Sequence, residues 1–368
     1  MLSFFRFTVL FIFFFTTVIA NGQYLSAGFD KKELEELVSI NTTYSESKAN
    51  KDLMPKPKYS KLVYQSPVLG LDNKWELWIK DQHIAIIGIR GSIMSTDSWL
   101  ANLFAVQIPA KGQLTIAEDF VFNYKLAESP KAAVHAGYVF STAFLVRDIL
   151  PKIDSLYKIG IKDIIVTGHS QGGGLSYILA ANLLWQQKDG LLPQDIRFKI
   201  YTTASPKPGN LYFAYDYDRV ALDGWSYHVV NTEDWVPQTP FTVQTVDDLP
   251  TVNPVSFIQE SIKKQSLFKR IFFKSIYNKI IKPPFKVVDV YQQFLGDYIG
   301  NKIKLDYPSF QLPPFSPSSE YVRVGRQILL YPDTGYNTKY NAAENPKNFM
   351  LHHTNNAYYY LLLHNNFK

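Results

Sequence analysis

The sequence predicts an α/β fold in which a mostly parallel central sheet is flanked by helices, and two observations support this. Short apolar runs rich in β-branched residues alternate with longer segments of helical periodicity, which is typical of parallel strands joined by helices. Hydrophobic residues make up 46% of the 368 positions, enough for a sizeable core. We expect residues 23–368 to form one domain with a helical, cap-like insertion at about residues 240–320.

The individual elements follow from local patterns. Asp30 is typical of a helix N-cap, and Leu34, Leu37 and Val38 share one face of the helix that follows over residues 31–40. Residues 106–133, which contain prolines and glycines, are expected to be less regular. The predicted strands are 61–65, 75–80, 83–89, 164–167, 198–203, 225–231 and 321–330. The further predicted helices are about 99–104, one that opens within residues 134–138 and runs to about 157, 173–184 and about 348–363.

The first 22 residues are typical of a signal peptide. A short basic start with Arg6 precedes an almost entirely apolar stretch over residues 7–18, and small residues follow up to Gly22. A retained membrane anchor is the alternative, although the apolar run is short for a bilayer span. We therefore expect export to the periplasm or the extracellular medium.

Charge and cysteine content exclude several classes of function. The net charge is +6, but no compact basic cluster lies on a nucleic-acid-binding motif, so the sequence predicts mild attraction to anionic surfaces and no nucleic-acid partner. The chain has no cysteine, which rules out disulfides, thiol catalysis and cysteine-based metal sites.

Ser170 is the candidate nucleophile. It lies between Gly168 and Gly172, directly after an apolar strand and directly before a helix. A serine hydroxyl is a weak nucleophile that must be exposed to a base, and a sharp strand-to-helix turn with flanking glycines exposes it. The alternative is a glycine-rich turn whose serine has no catalytic role.

An acid and a base would have to follow this serine, in that order, if the arrangement is the usual one for such a turn. Asp234 comes just after the strand 225–231, and Glu233 is its immediate rival. Asp216 and Asp218 are weaker candidates in a tyrosine-rich segment that is predicted to be a loop.

Three histidines lie beyond Asp234 and could supply the base: His352, His353 and His364. The first two are predicted to lie on a helix, where adjacent side chains project about 100° apart, so at most one of them can face Ser170. His169 is adjacent to the serine and is predicted to be a packing residue.

Residues 256–282 are basic and amphipathic. Their pattern is compatible with a helix packed on the core, with a cap over the active site, or with a surface that contacts lipid. The apolar positions are Phe257, Ile258, Ile262, Phe268, Phe272, Ile276, Ile280 and Ile281, and the interleaved cations are Lys263, Lys264, Lys269, Arg270, Lys274 and Lys279.

Five short motifs follow one another along the chain. They are Ile89-Arg90-Gly91-Ser92, Val134-His135-Ala136-Gly137-Tyr138, Gly168-His169-Ser170-Gln171-Gly172-Gly173, Ser205-Pro206-Lys207-Pro208-Gly209-Asn210 and Val230-Asn231-Thr232-Glu233-Asp234-Trp235-Val236-Pro237. Together, and in this order, they resemble the motifs of the class 3 lipase family, the fungal-lipase-like branch of the α/β-hydrolase fold. The resemblance covers roughly residue 61 to the C-terminus, and residues 239–340 are poorly matched.

This resemblance implies Ser170 as nucleophile, Asp234 as acid and His353 as base. The family's histidine is commonly followed by a tyrosine five residues later, and His353 has Tyr358 at that spacing whereas His352 has an alanine.

The resemblance also implies an oxyanion hole formed by the backbone N–H groups of Gln171 and Ser92, and a lid within residues 93–133. Ser92 stands where threonine is usual, and Gln171 replaces leucine. We expect the polar side chain of Gln171 to lie beside the acyl site.

The activity implied is that of a secreted serine ester hydrolase, a triacylglycerol lipase or carboxylesterase, that needs no metal or organic cofactor. Its partners would be a lipid or other ester substrate and, transiently, a lipid interface. The alternatives are a phospholipase A1, a feruloyl-type esterase acting on soluble esters, and a lipid-binding protein without turnover.

Overall fold

The structure is a computed structural model that describes residues 24–44, 52–253, 255, 262–365 and 367. The predicted signal peptide, and residues 256–261 of the predicted basic helix, lie outside this range. In the described part of the chain, no helix is both long and apolar enough to cross a bilayer.

A central sheet organises the molecule. The described strands are β1 (Ser60–Gln65), β2 (Trp75–Lys80), β3 (Ile84–Ile89), β4 (Gln107–Pro109), β5 (Lys111–Ala117), β6 (Phe120–Lys125), β7 (Ala133–His135), β8 (Asp163–His169), β9 (Arg197–Thr203), β10 (Ser226–Asn231) and β11 (Arg326–Leu330). Within the described residues, the central sheet has seven of these strands in the order β1-β2-β3-β8-β9-β10-β11. In it, β1, β2 and β3 are antiparallel neighbours and the others pair in parallel.

Helices cover both faces of this sheet. The described helices are α1 (Lys31–Thr42), α2 (Thr96–Leu103), α3 (Ala136–Lys158), α4 (Gln171–Lys188), α5 (Leu211–Ala221), α6 (Leu267–Ile280), α7 (Lys282–Tyr291), α8 (Ile299–Asp306), α9 (Thr334–Lys339) and α10 (Asn355–His364), with a π-helical segment at Gln292–Tyr298. The predicted α/β architecture, a mostly parallel sheet flanked by helices, is confirmed.

The hydrophobic core is split by the sheet because successive strand residues point to opposite faces. On β8, Ile164 and Val166 belong to the core beneath α3 and α4, whereas Ile165 belongs to the core beneath α1 and α10. A buried ion pair also links α1 to the sheet, since Lys199 on β9 lies 2.7 Å from Glu33.

Two segments are more ordered than their sequence patterns predict. Residues 106–133 contain β4 and β7, which pair with each other, and the β5–β6 hairpin. The predicted tyrosine-rich loop is the helix α5, which Asn210 caps by accepting a hydrogen bond from the N–H of Phe213. Phe213 and Tyr217 are both fully buried at a helical spacing of four, so tertiary packing stabilises α5.

The C-terminal elements are shorter than predicted. Strand β11 covers only the second half of the predicted strand 321–330. Helix α10 begins at Asn355, after the N-cap Thr354. His352 and His353 therefore lie in the turn before the helix and not on it.

The segment between β10 and β11 spans residues 232–325 and carries α6, α7, the π-helical segment and α8. α8 packs against α2, where a side chain at Gly300 would meet Leu312 and Phe104. By contrast, no residue of α6 whose side chain is described is buried. For these residues, the interpretation of the basic helix as one packed on the core is wrong.

Candidate active site

The turn at Ser170 joins β8 to α4 with a strained backbone. Ser170 has φ +60° and ψ −132°, a conformation that residues other than glycine rarely adopt. The flanking glycines are required by close backbone contacts: a Cβ at Gly168 would lie 2.3 Å from the carbonyl carbon of Gly172, and a Cβ at Gly172 would lie 2.2 Å from the carbonyl oxygen of Ile89. The turn therefore presents the Ser170 hydroxyl at the carboxyl edge of the sheet.

Ser170, His353 and Asp234 form a continuous chain of hydrogen bonds. Nε2 of His353 lies 2.8 Å from Oγ of Ser170, and Nδ1 of His353 lies 2.8 Å from Oδ2 of Asp234. A carboxylate accepts hydrogen bonds, so Nδ1 carries the proton and Nε2 is free to accept the serine hydroxyl. Residues that are up to 183 positions apart in sequence meet here because the parallel strands β8 and β10 end at the same edge.

Asp234 is buried, with 1% of its surface exposed, and is held by two further donors. The phenol of Tyr358 donates to Oδ2 at 2.8 Å, and the backbone N–H of Val236 donates to Oδ1 at 3.0 Å. Burial, followed by the negative charge of Asp234, raises the pKa of Tyr358 well above its ordinary value, so the phenol keeps its proton. The carboxylate is thereby fixed in the orientation that contacts His353.

His169 also supports this site. The sequence predicted only a packing residue here and missed this role. Its Nε2 donates to the carbonyl of His353 at 2.7 Å, and its Nδ1 lies 2.9 Å from the hydroxyl of Thr203. Burial, with a smaller effect of the neighbouring His353, holds the pKa of His169 well below its ordinary value, so it is neutral. The histidine next to the serine thus holds the backbone of the base.

The rival histidines do not contact Ser170. His352 binds the hydroxyl of Tyr336 through Nδ1 at 2.9 Å, and its carbonyl accepts from the amide of Asn231 at 2.8 Å. Nδ1 of His364 donates to the carbonyl of Tyr360.

The rival carboxylates also lie elsewhere. Glu233 is exposed. Asp216 accepts hydrogen bonds from the backbone N–H groups of Glu128 and Ser129, and Asp218 accepts one from Gly325. Of the candidate acids, only Asp234 contacts a candidate base.

The two expected oxyanion donors flank the serine. Gln171 is the first residue of α4, and Ser92 borders both cavities that reach Ser170. The hydroxyl of Ser92 accepts from the amide of Asn102 at 2.8 Å, and the amide oxygen of Asn102 in turn accepts from Tyr138 at 3.1 Å. The loop after β3 is thereby fixed to α2 and α3.

The side chain of Gln171 does not lie beside the acyl site, contrary to expectation. Its Nε2 donates to the carbonyl of Ser98 on α2 at 2.9 Å, and its Oε1 accepts from the Ser98 hydroxyl at 3.2 Å. The same hydroxyl accepts from the backbone N–H of Ile93 at 3.1 Å. Gln171 therefore anchors the start of α2 and, through it, the residue after Ser92.

Two cavities meet at Ser170. The larger, about 410 Å³, is mainly apolar, and Trp99, Leu103, Phe241 and Leu295 are among its lining residues. The smaller, about 250 Å³, is lined in part by polar side chains, namely Asn41, Tyr44, Arg90 and Asn355. In the described residues, no group of three histidine or carboxylate side chains is arranged to bind a metal ion.

A serine on a strand–turn–helix, facing an imidazole and a buried carboxylate at the carboxyl edge of a mostly parallel sheet, defines an α/β-hydrolase. Residues 86–244 match the class 3 lipase family. Over this part of the chain, the resemblance inferred from the five motifs is confirmed.

Individual lipases are similar to parts of the chain. A lipase of Caenorhabditis elegans is 36% identical over 88 residues, which are 24% of this chain and 23% of that protein. The match thus spans less than a quarter of the relative's length. Among solved structures, a lipase from Rhizopus microsporus var. chinensis has 26% identity over 57% of this chain and 69% of that chain, with a TM-score of 0.38. The Lip2 lipase from Yarrowia lipolytica has 20% identity over 59% of this chain and 76% of that chain, with a TM-score of 0.43.

Proposed function

We propose that this protein is a serine ester hydrolase, a triacylglycerol lipase or carboxylesterase, with Ser170, His353 and Asp234 as its catalytic triad. The observation that supports this most strongly is the hydrogen-bond chain through the three side chains, with both contacts to His353 at 2.8 Å. The match of residues 86–244 to the class 3 lipases supports the same activity.

The geometry accounts for each step of ester hydrolysis. Oγ of Ser170 attacks the ester carbonyl while Nε2 of His353 takes its proton, and Asp234 stabilises the imidazolium. The N–H groups of Gln171 and Ser92 bind the developing oxyanion, where one donor is worth about 3 kcal/mol. His353 then returns the proton to the leaving alcohol. Water, deprotonated by His353, attacks the acyl-enzyme and releases the carboxylic acid and free Ser170.

The apolar cavity supports a substrate with a hydrocarbon acyl chain. Each methylene that moves from water into such a cavity contributes about 0.8 kcal/mol. The cavity walls near Ser170 come from α2 and from the insertion, through Trp99 and Leu295 respectively. We therefore expect activity to rise with acyl-chain length.

A phospholipase A1 is the second candidate, and the smaller cavity is the observation that favours it. Its charged lining residue is Arg90, which sits among amides and hydroxyls, a combination that suits a phosphate-bearing head group. An esterase acting on soluble, feruloyl-type esters would differ by preferring short or aromatic acyl groups.

Export and transient contact with a lipid interface are part of the proposal. The basic and apolar pattern of residues 1–22 supports cleavage and export to the periplasm or the medium. Detection of a mature protein that begins after Ala20 or Gly22 would test this.

The decisive experiment is hydrolysis of p-nitrophenyl esters from acetate to palmitate by the parent protein and by Ser170→Ala. We expect activity that grows with chain length and falls about 1,000-fold or more in the variant. His353→Ala should behave like Ser170→Ala, whereas His352→Ala, the matched control, should keep most of the activity. Short-chain preference would identify an esterase, and faster release of acid from the first position of phosphatidylcholine would identify a phospholipase. Ligand binding by a parent that hydrolyses nothing would contradict the proposal.

A further inference from the structure

Helix α6 exposes large apolar side chains that would normally be buried. Phe268 is 86% exposed, Leu267 69%, Phe272 62% and Ile271 61%. Because an α-helix advances about 100° per residue, these four positions share one side of α6. A contiguous exposed patch of this kind marks a surface with a partner.

The segment around α6 accounts for the whole positive net charge of the chain. Residues 262–291 contain eight lysine or arginine side chains and one carboxylate, a net charge of +7, whereas the whole chain has +6. The other residues together are therefore close to neutral. Lys269 and Lys274, both exposed, border the apolar side of α6 at its two edges.

This combination favours one kind of partner. A helix with phenylalanine and leucine on one side and cations beside them is suited to the boundary between lipid head groups and acyl chains. The cations are attracted to anionic head groups, and the apolar side chains enter the layer beneath them. Charge complementarity thus selects an anionic lipid surface.

Exposed apolar side chains also occur on the elements that follow α6, next to residues of the apolar cavity. α6 is followed by α7 and then by the π-helical segment. Tyr291, the last residue of α7, and Leu295, in the π-helical segment, line the apolar cavity. Their neighbours Val290 and Phe294 are 48% and 55% exposed. We define the docking surface as Leu267, Phe268, Ile271, Phe272, Val290 and Phe294.

We propose that this protein docks on anionic lipid bilayers through the docking surface and the cations beside it. The mouth of the apolar cavity then faces the bilayer, so that a lipid can enter without crossing water. The inference deepens the proposed function by naming its lipid surface, but docking itself requires no turnover. Ser170→Ala therefore serves as the background for every binding measurement, so that failure of docking and failure of catalysis remain distinguishable.

The test is co-sedimentation with vesicles of phosphatidylcholine alone or mixed with phosphatidylserine. The parent and all variants are purified from the same expression host after any processing there, so they share the same N-terminus. We expect binding to be stronger to the anionic vesicles and to weaken with added salt. F268S/F272S should weaken it about tenfold or more on the anionic vesicles, and K269Q/K274Q should reduce the preference for them.

Two matched controls change similar residues elsewhere. I159S/L191S removes two apolar side chains that are 73% and 72% exposed, and K61Q/K111Q removes two exposed lysines. Both controls should bind as the parent does. Thermal unfolding of each variant verifies folding, which α6 substitutions should preserve because its described side chains are not buried.

Three outcomes would overturn the proposal. The first is equal binding to neutral and anionic vesicles by the parent. The second is unchanged binding by both F268S/F272S and K269Q/K274Q. The third is that the parent does not bind vesicles and forms a dimer that the F268S/F272S substitutions dissociate. In that case α6 contacts a second copy of the chain.

Discussion

Tyr358 donates a hydrogen bond of 2.8 Å to Oδ2 of Asp234, the same oxygen that contacts His353. His353 lies in the turn before α10, and Tyr358 lies in the first turns of that helix. The five-residue spacing of histidine and tyrosine thus has a structural reason: one short segment supplies the imidazole and a second donor to the acid.

Tyr358→Phe should therefore reduce activity without abolishing it. The variant removes one donor from a buried carboxylate, while Val236 and His353 continue to hold it. We expect kcat to fall about tenfold and the free energy of unfolding to fall by about 2 kcal/mol. Ester kinetics and urea unfolding measure both quantities. Tyr360→Phe, on the same helix, should change neither by much, and unchanged kcat in Tyr358→Phe would show that this contact does not position the acid.

Gln171→Leu should lower kcat more than it raises KM. The leucine restores a side chain that resembles the family's but leaves the carbonyl of Ser98 without its donor, so the loop that carries Ser92 loses an anchor. We expect kcat to fall about tenfold for short and long esters alike. Gln186→Leu is the matched control on the same helix. A change confined to long esters would mean that Gln171 contacts the acyl chain after all.

Ser170→Gly should be more stable than Ser170→Ala, although both are inactive. Alanine keeps the strained φ of +60°, whereas glycine adopts it freely. We expect a difference of about 1 kcal/mol in the free energy of unfolding in favour of glycine. The opposite sign is expected for Gln186→Gly against Gln186→Ala on the same helix. Equal stability of the two Ser170 variants would refute the strain in the turn.

Acid should destabilise the protein partly through His228. Burial, followed by the positive charge of Arg323, lowers the pKa of His228 to about 3. Above the ordinary histidine pKa of about 6.5, His228 is neutral in both the folded and the unfolded protein. As the pH falls from there towards 3, His228 gains a proton in the unfolded chain but not in the folded protein. Stability is therefore lost on acidification, by about 2 kcal/mol from this residue at about pH 5.

Urea unfolding at about pH 7.5 and about pH 5 measures this loss. In His228→Asn, the difference in stability between the two pH values should shrink by about 2 kcal/mol, whatever the variant's stability at neutral pH. The same pH dependence in parent and variant would exclude His228 as its source.

The parts of the molecule that follow from local patterns were predictable. The turn at Ser170 needs only a β-branched run, two glycines and a helix, all adjacent in sequence. The choice of Asp234 and His353 came from motif order and spacing, and the structure brings these two residues to Ser170. Their catalytic roles stay predictions until the variants are measured.

What sequence patterns missed depends on distant partners. The β5–β6 hairpin buries Leu114, Ile116 and Phe122. The prolines and glycines of residues 106–133 outweighed this pattern in the sequence and favoured an irregular segment. The direction of the Gln171 side chain depends on Ser98, which is 73 residues away. His169 gains its role only because the carbonyl of His353, 184 residues later, lies beside it.

The adjacency of β10 and β11 has a consequence beyond the sheet. Asn231 pairs with Leu330, so the insertion departs from and returns to neighbouring strands. The entropy of closing such an excursion grows only slowly with its length. Evolution can thus lengthen, shorten or recharge this segment without shifting any strand, and a descendant enzyme could acquire a new type of surface or substrate entrance while inheriting the ancestral chemistry unchanged.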